Sequence, residues 1–440
     1  MKRFFFSFLA FIPVSLTIHA QEVFTLEKCI SLGLEHNYSI RIVQNEARIS
    51  ANNATLGNAG YLPTVDLSGN LSGTQYGYNN RLTDGTSEKT SRINTETASA
   101  GMNMNWTIFD GFIIQAEYAR LKELEQMGQI NVRMAIENLA ANIAAEYYNL
   151  IRQRIRYNNL KSALSLSRER LRITEVSFVT GYRSGLDVQQ SRVYFNSDSS
   201  RLLTQTETIN ASMIRLNKLM GLDSVSRVIA VHDTIPLNTS LIESELWEKT
   251  FSSNVALLAS YKNKTLSELD YQKIRGRNYP YLRFNAGYGY TANRYETGTM
   301  ELQQRIGFNY GLTVGYTLFN GMNRQREQRN ARIQLQNYEL RIQDLELGLK
   351  SDLSNLWMAY QNNLELRKLE KENLIVARNN HEIAFERFIL GDLAGIQLRE
   401  AQNSLLEAEE RLSIAEYNSK LCEISLLQLS GQILNYLSEF

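Results

Sequence analysis

Chemistry begins with side chains that titrate, attack or bind metal, and this chain holds few of them in workable arrangements. Its four histidines, His19, His36, His232 and His381, stand alone, with no second His or Cys at the short spacing that metal ligands use. Cys29 and Cys422 lie almost a whole chain apart, both in segments of helical periodicity. Free thiols are the expectation, because exported proteins that rely on disulfides usually carry several. No G-x-S-x-G elbow, phosphate loop or dinucleotide fingerprint occurs in a strand-turn-helix context. The carboxylates are interleaved with Lys and Arg on helical faces, where solvation and weak ion pairs are the default. These residues point to no catalysis, no metal and no cofactor, and the expectation is a protein that is not an enzyme.

The first residues and the bulk composition suggest an exported chain. Met1-Lys2-Arg3 leads into an apolar run from Phe4 to Ile18, followed by His19-Ala20-Gln21. This is the layout of a signal peptide over residues 1–20, too short for a membrane span. The cleaved chain begins near Gln21 rather than at a cysteine, so no lipid anchor is expected there. Taking Lys2 and Arg3 from the 47 basic residues leaves them one short of the 46 acidic ones. With no basic block, nucleic acid is not an expected partner. Beyond the leader only Pro63, Pro236 and Pro280 interrupt the chain, which permits very long helices.

Two halves of the sequence match. Trp106-Thr107-Ile108-Phe109-Asp110-Gly111 recurs as Tyr316-Thr317-Leu318-Phe319-Asn320-Gly321, a shift of 210. Phe178 to Gly181 with Gly185 recurs, at the same shift, as Phe388 to Gly391 with Gly395, and Leu219-Met220-Gly221 as Leu429-Ser430-Gly431. Leu62-Pro63 pairs with Tyr279-Pro280 at 217, so seven extra residues sit between Pro63 and Trp106, where a loop is expected. Such a period marks a duplicated structural unit.

Within each half one stretch alternates with period two. Ala98, Ala100, Met102, Met104, Trp106 and Ile108 are interleaved with Ser, Gly, Asn and Thr. In the second half Ile306, Phe308, Tyr310, Leu312, Val314, Tyr316 and Leu318 alternate with Arg305, Gly307, Asn309, Gly311, Thr313, Gly315 and Thr317, predicting a strand through Leu318. The entering strands alternate through Val65, Leu67 and Leu71, and through Leu282, Phe284, Ala286, Tyr288 and Tyr290. The rest reads as helix. No proline falls between Phe112 and Phe178, and Val132, Ile136, Leu139, Ile143, Tyr147 and Leu150 mark one face. A heptad seam runs Leu398, Ala401, Leu405, Ala408, Leu412, Ala415, Ser419, Cys422, Leu426, Leu429, which assigns Cys422 to packing.

A strand with one apolar face needs something apolar to lie against, and the chain offers no second sheet. Aromatic residues on one face and small polar ones on the other make the alternation of a membrane β-barrel. A bilayer tolerates no open sheet edge, yet each chain supplies only four strands, so several copies must close the barrel. Two copies give about eight strands, whose interior is filled by side chains, so a trimer is the smallest assembly with a lumen. Asp110 and Asn320 stand where a helix N-cap is wanted, directly after a strand. Phe109-Asp110-Gly111 and Phe319-Asn320-Gly321 are therefore the expected joints between barrel and helix, with Trp106, Phe109, Tyr316 and Phe319 at the membrane interface.

The chain resembles the TolC family of outer-membrane export channels. The likeness rests on the doubled order of helix, hairpin, long helix, glycine turn and helix, the Tyr61-Leu62-Pro63 entry, and the paired joints and turns. The fold class expected is mixed and mainly α: a membrane β-barrel of four strands per protomer, twelve in a trimer, continued into a periplasmic α-helical barrel. The first repeat spans 21–221 with its hairpin near 62–109 and a tip turn at 180–188, and an equatorial linker follows at 222–240. The second repeat spans 241–440, with its hairpin near 280–319 and tip turn at 390–398.

The resemblance implies a homotrimer in the outer membrane that reaches through the periplasm to an adaptor (membrane fusion) protein and an inner-membrane pump of resistance-nodulation-division or ABC type. Adaptor-facing tips would then be Gly181, Tyr182, Arg183, Ser184 and Gly185, and Gly391, Asp392, Leu393, Ala394 and Gly395. On residue type alone, these glycines need mean nothing more than helix reversal. Asp187, Gln397 and Glu400 are the pore-aperture candidates; Gln397 stands where some members carry aspartate, which weakens a cation-binding aperture. Residues 161–200 hold six basic and four acidic side chains, and residues 371–410 four and eight, so ion pairs between the two hairpins are a candidate latch. The expected function is passive conduction of substrates delivered by the pump. Alternatives are the exit duct of a type I protein-secretion system and a structural periplasmic coiled-coil protein, against which the alternating hairpins argue.

Overall fold

The computed structural model describes residues 23–238, 240–296 and 299–437. The signal peptide expected at 1–20 lies outside them. Three helices come first among the described residues: α1 (Leu26–His36), α2 (Tyr38–Asn53) and α3 (Leu56–Ala59). Thr25 caps the first by accepting from Lys28 N at 3.2 Å, and Gly60 ends the third at φ +94°. A hairpin of β1 (Thr64–Arg81) and β2 (Ser87–Phe109) leads into α4 (Ile113–Val179) and α5 (Gly185–Leu219). The second half repeats the plan with α6 (Glu243–Ser253), α7 (Val255–Gly276), β3 (Tyr281–Tyr295), β4 (Leu302–Gly315), α8 (Asn323–Ile389), α9 (Gly395–Leu429) and the short α10 (Ile433–Leu437). The duplication is exact in length where it is longest: α4 and α8 both have 67 residues, α5 and α9 both 35.

The strands form one antiparallel sheet in the order β1-β2-β3-β4. Two sequence expectations need correcting here. The extra residues of the first hairpin are not a loop: β1 and β2 stay paired out to Arg81 and Ser87, well beyond the last β2–β3 pair at Thr95 and Tyr295. The second correction concerns β4, which stops at Gly315 instead of running through Leu318. Its partner β3 begins at Tyr281, paired with Gly315, and the residue before it is Pro280, which has no N–H to extend the ladder.

The chain divides into two compact units, each with its own packing. One comprises Ser39–Ala135 and Ser253–Lys350 and contains the sheet. In it the helices follow the strand order. Gly128 of α4 lies against Ala47 of α2, Lys262 of α7 pairs with Glu123 of α4 at 2.7 Å, and Lys264 of α7 pairs with Glu339 of α8 at 3.1 Å. That leaves α2 and α8 at the two ends of the row. Both carry exposed apolar residues every seven positions, Ile42 and Ile49 on one and Ile333, Leu340 and Leu347 on the other.

The other unit takes in the residues through Tyr38, Ile136–Ser252 and those from Ser351 on. Leu246, Leu353, Tyr360 and Leu426 form one of its cores, with Cys422 packed alongside. The α9 seam read from sequence is buried or half-buried throughout. Cys29 and Cys422 are both free thiols, and burial pushes Cys29 up to about 12.

Candidate functional site

Residues directly opposite in an antiparallel pair share a face, so the register sorts every side chain of the sheet. One face carries Trp106-Phe284-Leu312, then Val65-Met104-Ala286-Tyr310, Leu67-Met102-Tyr288-Phe308 and Gly69-Ala100-Tyr290-Ile306. The other carries Thr64-Asn105-Asn285-Gly311, Asp66-Asn103-Gly287-Asn309, Ser68-Gly101-Gly289-Gly307 and Asn70-Ser99-Thr291-Arg305. The apolar face is unbroken across all four strands and exposed, with Leu67 at 82% and Tyr310 at 76%. On the polar face the side chains bond one another: Asn285 to Asn105 at 2.6 Å, Asn103 to Ser68 at 3.2 Å, and Thr97 to Asn293 at 2.9 Å. Both edges, β1 and β4, are open within the chain.

The joints repeat down to the backbone. After β2 the chain passes through Gly111 (φ +77°) and Phe112 (φ +70°), and after β4 through Gly321 (φ +68°) and Met322 (φ +61°). Phe112 and Met322 are the two non-glycine residues with positive φ among the described residues. A left-handed residue with a side chain costs about 1 to 2 kcal/mol, so the turn is held by its surroundings. Asp110 accepts from Ile113 N at 3.0 Å and Ile114 N at 3.2 Å, and Phe112 stacks edge-on against Phe109 and Tyr279. Gly111 has no room for a side chain, because a Cβ there would overlap Gly276 O. At the second joint Asn320 reaches Arg324 N at only 3.5 Å, and Arg324 caps the turn from the side, donating to Arg277 O at 3.0 Å and to Thr317 O.

At both tips the reversal is made by a glycine at φ +83°, Gly181 in one and Gly391 in the other. Asp187 closes a capping box: Ser184 N and Oγ donate to its carboxylate at 3.0 and 2.8 Å, and its own N–H returns to Ser184 Oγ. Those bonds, with a smaller contribution from Arg183, hold its carboxyl below the usual range. Gln397 takes the equivalent place, accepting from Ala394 N at 3.4 Å. Glu400 is exposed one turn further on. Arg183 donates to Phe388 O at 3.3 Å and lies 4.1 Å over its ring, tying one tip to the other. Tyr182 (88% exposed), Val179 and Leu390 project into solvent. Asp392 is held by Arg387 at 2.7 Å.

Within the chain the ion pairs between the hairpins run in both senses. Arg192 stays within its own hairpin, on Glu175 at 3.1 Å. The crossing contact is buried and uses the minority charge of each hairpin: Asp198 of α5 accepts from Arg399 of α9 at 2.6 and 2.9 Å. Ser167 also donates to Asp198, and Gln402 donates to Ala163 O at 3.0 Å and Ser167 Oγ at 3.1 Å. Arg170, 2% exposed, lies over the Tyr194 ring that Arg399 also covers, and two of its nitrogens have no hydrogen-bond partner. Burial and the neighbouring Arg399 lower it to about 10. A second crossing pair, Arg156 to Glu410 at 2.7 Å, is half-exposed and has the expected sense.

Sequence reasoning missed this bolt, and also the seam to which it belongs. Ser191, Asp198, Gln205 and Ser212 stand seven apart on α5, all buried, and meet Thr174, Ser167, Gln153 and Asn149 of α4. A search for apolar periodicity passes over a polar heptad; the spacing itself was the available signal. Among the described residues no three His, Cys, Asp or Glu come together as metal ligands, and no helix is long and apolar enough to cross a membrane.

Comparison with known proteins agrees with this geometry. The family model described as outer membrane efflux protein matches residues 29–222 and 248–432. The outer membrane protein TolC of Vibrio cholerae is 22% identical over 306 residues, 68% of each chain. Among solved structures, the outer-membrane channel OprN superposes with a TM-score of 0.76 at 15% identity, covering 92% of this chain and 90% of that one. The Campylobacter jejuni CmeC channel gives 0.76 at 16%, over 93% and 86%. Vibrio cholerae VceC gives 0.73 at 17%, over 92% and 96%. An exposed apolar sheet face, a hydrogen-bonded polar face and paired long helices are thus set in the fold of outer-membrane channels, and the chain belongs to the outer membrane efflux protein family, the TolC-like proteins that reach from the outer membrane into the periplasm.

Proposed function

We propose that three copies of this chain close a twelve-stranded barrel and form the passive outer-membrane duct of a tripartite efflux system, without enzymatic activity of their own. The observation that carries this is the sheet: one apolar face continuous over four strands, and two open edges that a bilayer would not tolerate. Pairing β4 of one copy with β1 of the next removes both edges. The same operation brings the apolar heptads of α8 and α2 together, Ile333, Leu340 and Leu347 beside Ile42 and Ile49, and buries surface exposed in the single chain. Head-to-tail contacts that close on themselves make a ring.

The tips at Gly181–Gly185 and Gly391–Gly395 are the proposed contact with a periplasmic adaptor, through which an inner-membrane pump delivers cargo. Asp187, Gln397 and Glu400 line the aperture on this reading. The mass of the detergent-solubilised complex tests the first part: a trimer is expected, and a monomer or dimer that still conducts ions in a planar bilayer overturns it. Cross-linking from the tips in intact envelopes, followed by identification of the captured chains, tests the second. Recovery of an adaptor with a protein-exporting ABC transporter would reassign the duct to protein secretion.

A further inference from the structure

The β1–β2 ribbon has an inner face unlike the wall below it. Five successive rows of the polar face, from Thr64 to Ser72, bear Asn, Gly, Ser, Thr, Gln, one Asp and one Arg, with no aromatic side chain. In the next row out the same face changes character. Tyr295 stands opposite Thr95, then Tyr76 opposite Ile93, then Tyr78 opposite Thr90. This change comes after the apolar outer face has already ended, since its row Gly73-Glu96-Arg294-Leu302 carries two charges. The tyrosines therefore stand beyond the lipid, on the side that looks into the barrel.

Two further features concern movement. From Tyr76 to Arg81 the ribbon has no third strand beside it among the described residues: β2–β3 pairing stops at Thr95, and Glu296 still bonds Asn94, opposite Gln75, at 3.1 Å. Those six residues span ~20 Å at ~3.4 Å each. A twelve-stranded barrel with strands ~4.8 Å apart and tilted ~40° has a radius of ~12 Å, so each ribbon is long enough to reach the axis. At its base the ladder slips between Tyr76 and Tyr78, with Ser91 and Arg92 opposite Gly77. A bulge bends and twists the pair that contains it, and here it lies just where the ribbon leaves the sheet. Gly77 is required there, since a Cβ would meet Thr90 O at 2.9 Å and Ser91 O at 3.0 Å.

We propose that the ribbon is an extracellular gate: the three ribbons of the closed barrel bend over the mouth and seal against one another through the face that carries Tyr76, Ile93 and Tyr78. The occupant of each aromatic face is the same face of a neighbouring copy. Tyr76, 49% exposed in the single chain, supplies the surface to bury in that contact, whereas Ile93, 6% exposed, is already covered within the chain and backs it, and Tyr78 is half-buried with its hydroxyl donating to Glu88 at 3.2 Å. The inference rests on the trimeric barrel with its polar face inward, proposed above.

The test uses the full chain in intact cells, with Asn103→Cys as a reporter on the inner wall and Asp84→Cys on the ribbon turn. The probes, added outside, are a small membrane-impermeant thiol reagent and a maleimide on a bulky polymer. The small reagent is expected to label both reporters, and the bulky one to label Asp84→Cys fast and Asn103→Cys slowly. Three lost aromatic contacts shift the closed state by roughly tenfold or more, so adding Tyr76→Ser and Tyr78→Ser speeds bulky labelling of Asn103→Cys by that factor. Phenylalanine at both positions keeps it slow, and Asp84→Cys labelling in each background reports that the variant reaches the surface. Equal bulky labelling of Asn103→Cys with and without the tyrosines overturns the gate while leaving the barrel standing. Failure of the small reagent at Asn103→Cys, where Asp84→Cys reacts, overturns the inward polar face and the gate with it. A silent Asp84→Cys means that the ribbon is not extracellular.

Discussion

Asp198 balances more charge than a single carboxylate usually does, and the consequence can be worked through. It accepts both Arg399 bonds and the Ser167 hydroxyl, while the buried Arg170 guanidinium lies within its field. Asp198→Asn leaves two buried guanidiniums, 7% and 2% exposed, with neutral partners. Removing one member of a buried ion pair costs about 3 to 5 kcal/mol. Arg399→Met is milder, because it removes one of two like charges and leaves Asp198 with Ser167 and Arg170; losing a charge-assisted hydrogen bond costs about 1.5 to 3 kcal/mol. At about 1.36 kcal/mol per decade, local opening should become roughly a hundredfold or more easier in Asp198→Asn, and tenfold to a hundredfold easier in Arg399→Met. Hydrogen exchange of the detergent-solubilised protein, followed in peptides around Ser167, Asp198 and Gln402, reads both. If Arg399→Met loses as much protection as Asp198→Asn, or more, the cation surplus is not what governs this site.

Other expectations follow from particular contacts. Leu312→Arg puts a charge on the lipid side at a cost of about 2 to 4 kcal/mol near mid-bilayer, whereas Thr313→Arg faces the lumen, so trimer yield should fall only in the first; equal yields would refute the face assignment. Gly111→Ala drives a Cβ into Gly276 O, while at Gly321 the nearest such atom, Asn323 Nδ2, is 3.6 Å away and only the left-handed backbone resists. The first should abolish heat-resistant trimers and the second weaken them by about 1 to 2 kcal/mol, an ordering that a thermal series on gels checks. Burial lowers the pKa of His381, stacked on Phe385, and Glu382 only partly opposes this. The folded chain thus prefers the neutral ring: its contribution to stability is full above about 6.5 and is lost as pH falls through the lowered folded value. His381→Phe should flatten the fall in Tm between neutral pH and pH 5, and an unchanged slope would count against the assignment.

How much of this was legible in the sequence depended on whether a contact leaves an apolar trace. The faces of β2, β3 and β4 are readable because lipid and water impose opposite demands on alternate residues. The ribbon from Gln75 to Asn94 is not, since its residues no longer alternate apolar with polar over a long enough run, although the backbone pairs on. The end of β4 depends on Pro280 in a different strand, which no local window contains. Within the chain the net charge of each hairpin does not fix the sense of its pairs: a buried pair needs one donor fork facing one carboxylate, and Arg399 with Asp198 provides it against the prevailing sign, while the half-exposed Arg156 and Glu410 follow it. The polar rungs of α5 were hidden for the same reason, being spaced like a core but built of Ser, Asp, Gln and Ser.

Those rungs bear on how the hairpin comes together. A helix pair joined by uniform leucines can settle one heptad out of step at little cost, because every knob fits every hole. Here the rungs differ in kind: hydroxyl with hydroxyl at Ser191 and Thr174, carboxylate with hydroxyl at Asp198 and Ser167, amide with amide at Gln205 and Gln153, and hydroxyl with amide at Ser212 and Asn149. A slip by one heptad sets each against the wrong neighbour and strands buried donors and acceptors, each at about 1 to 3 kcal/mol. The ladder therefore acts as a key that admits one alignment of α4 and α5, so that zippering from the glycine turn brings Tyr182 and Arg183 to the same height in every copy of the chain.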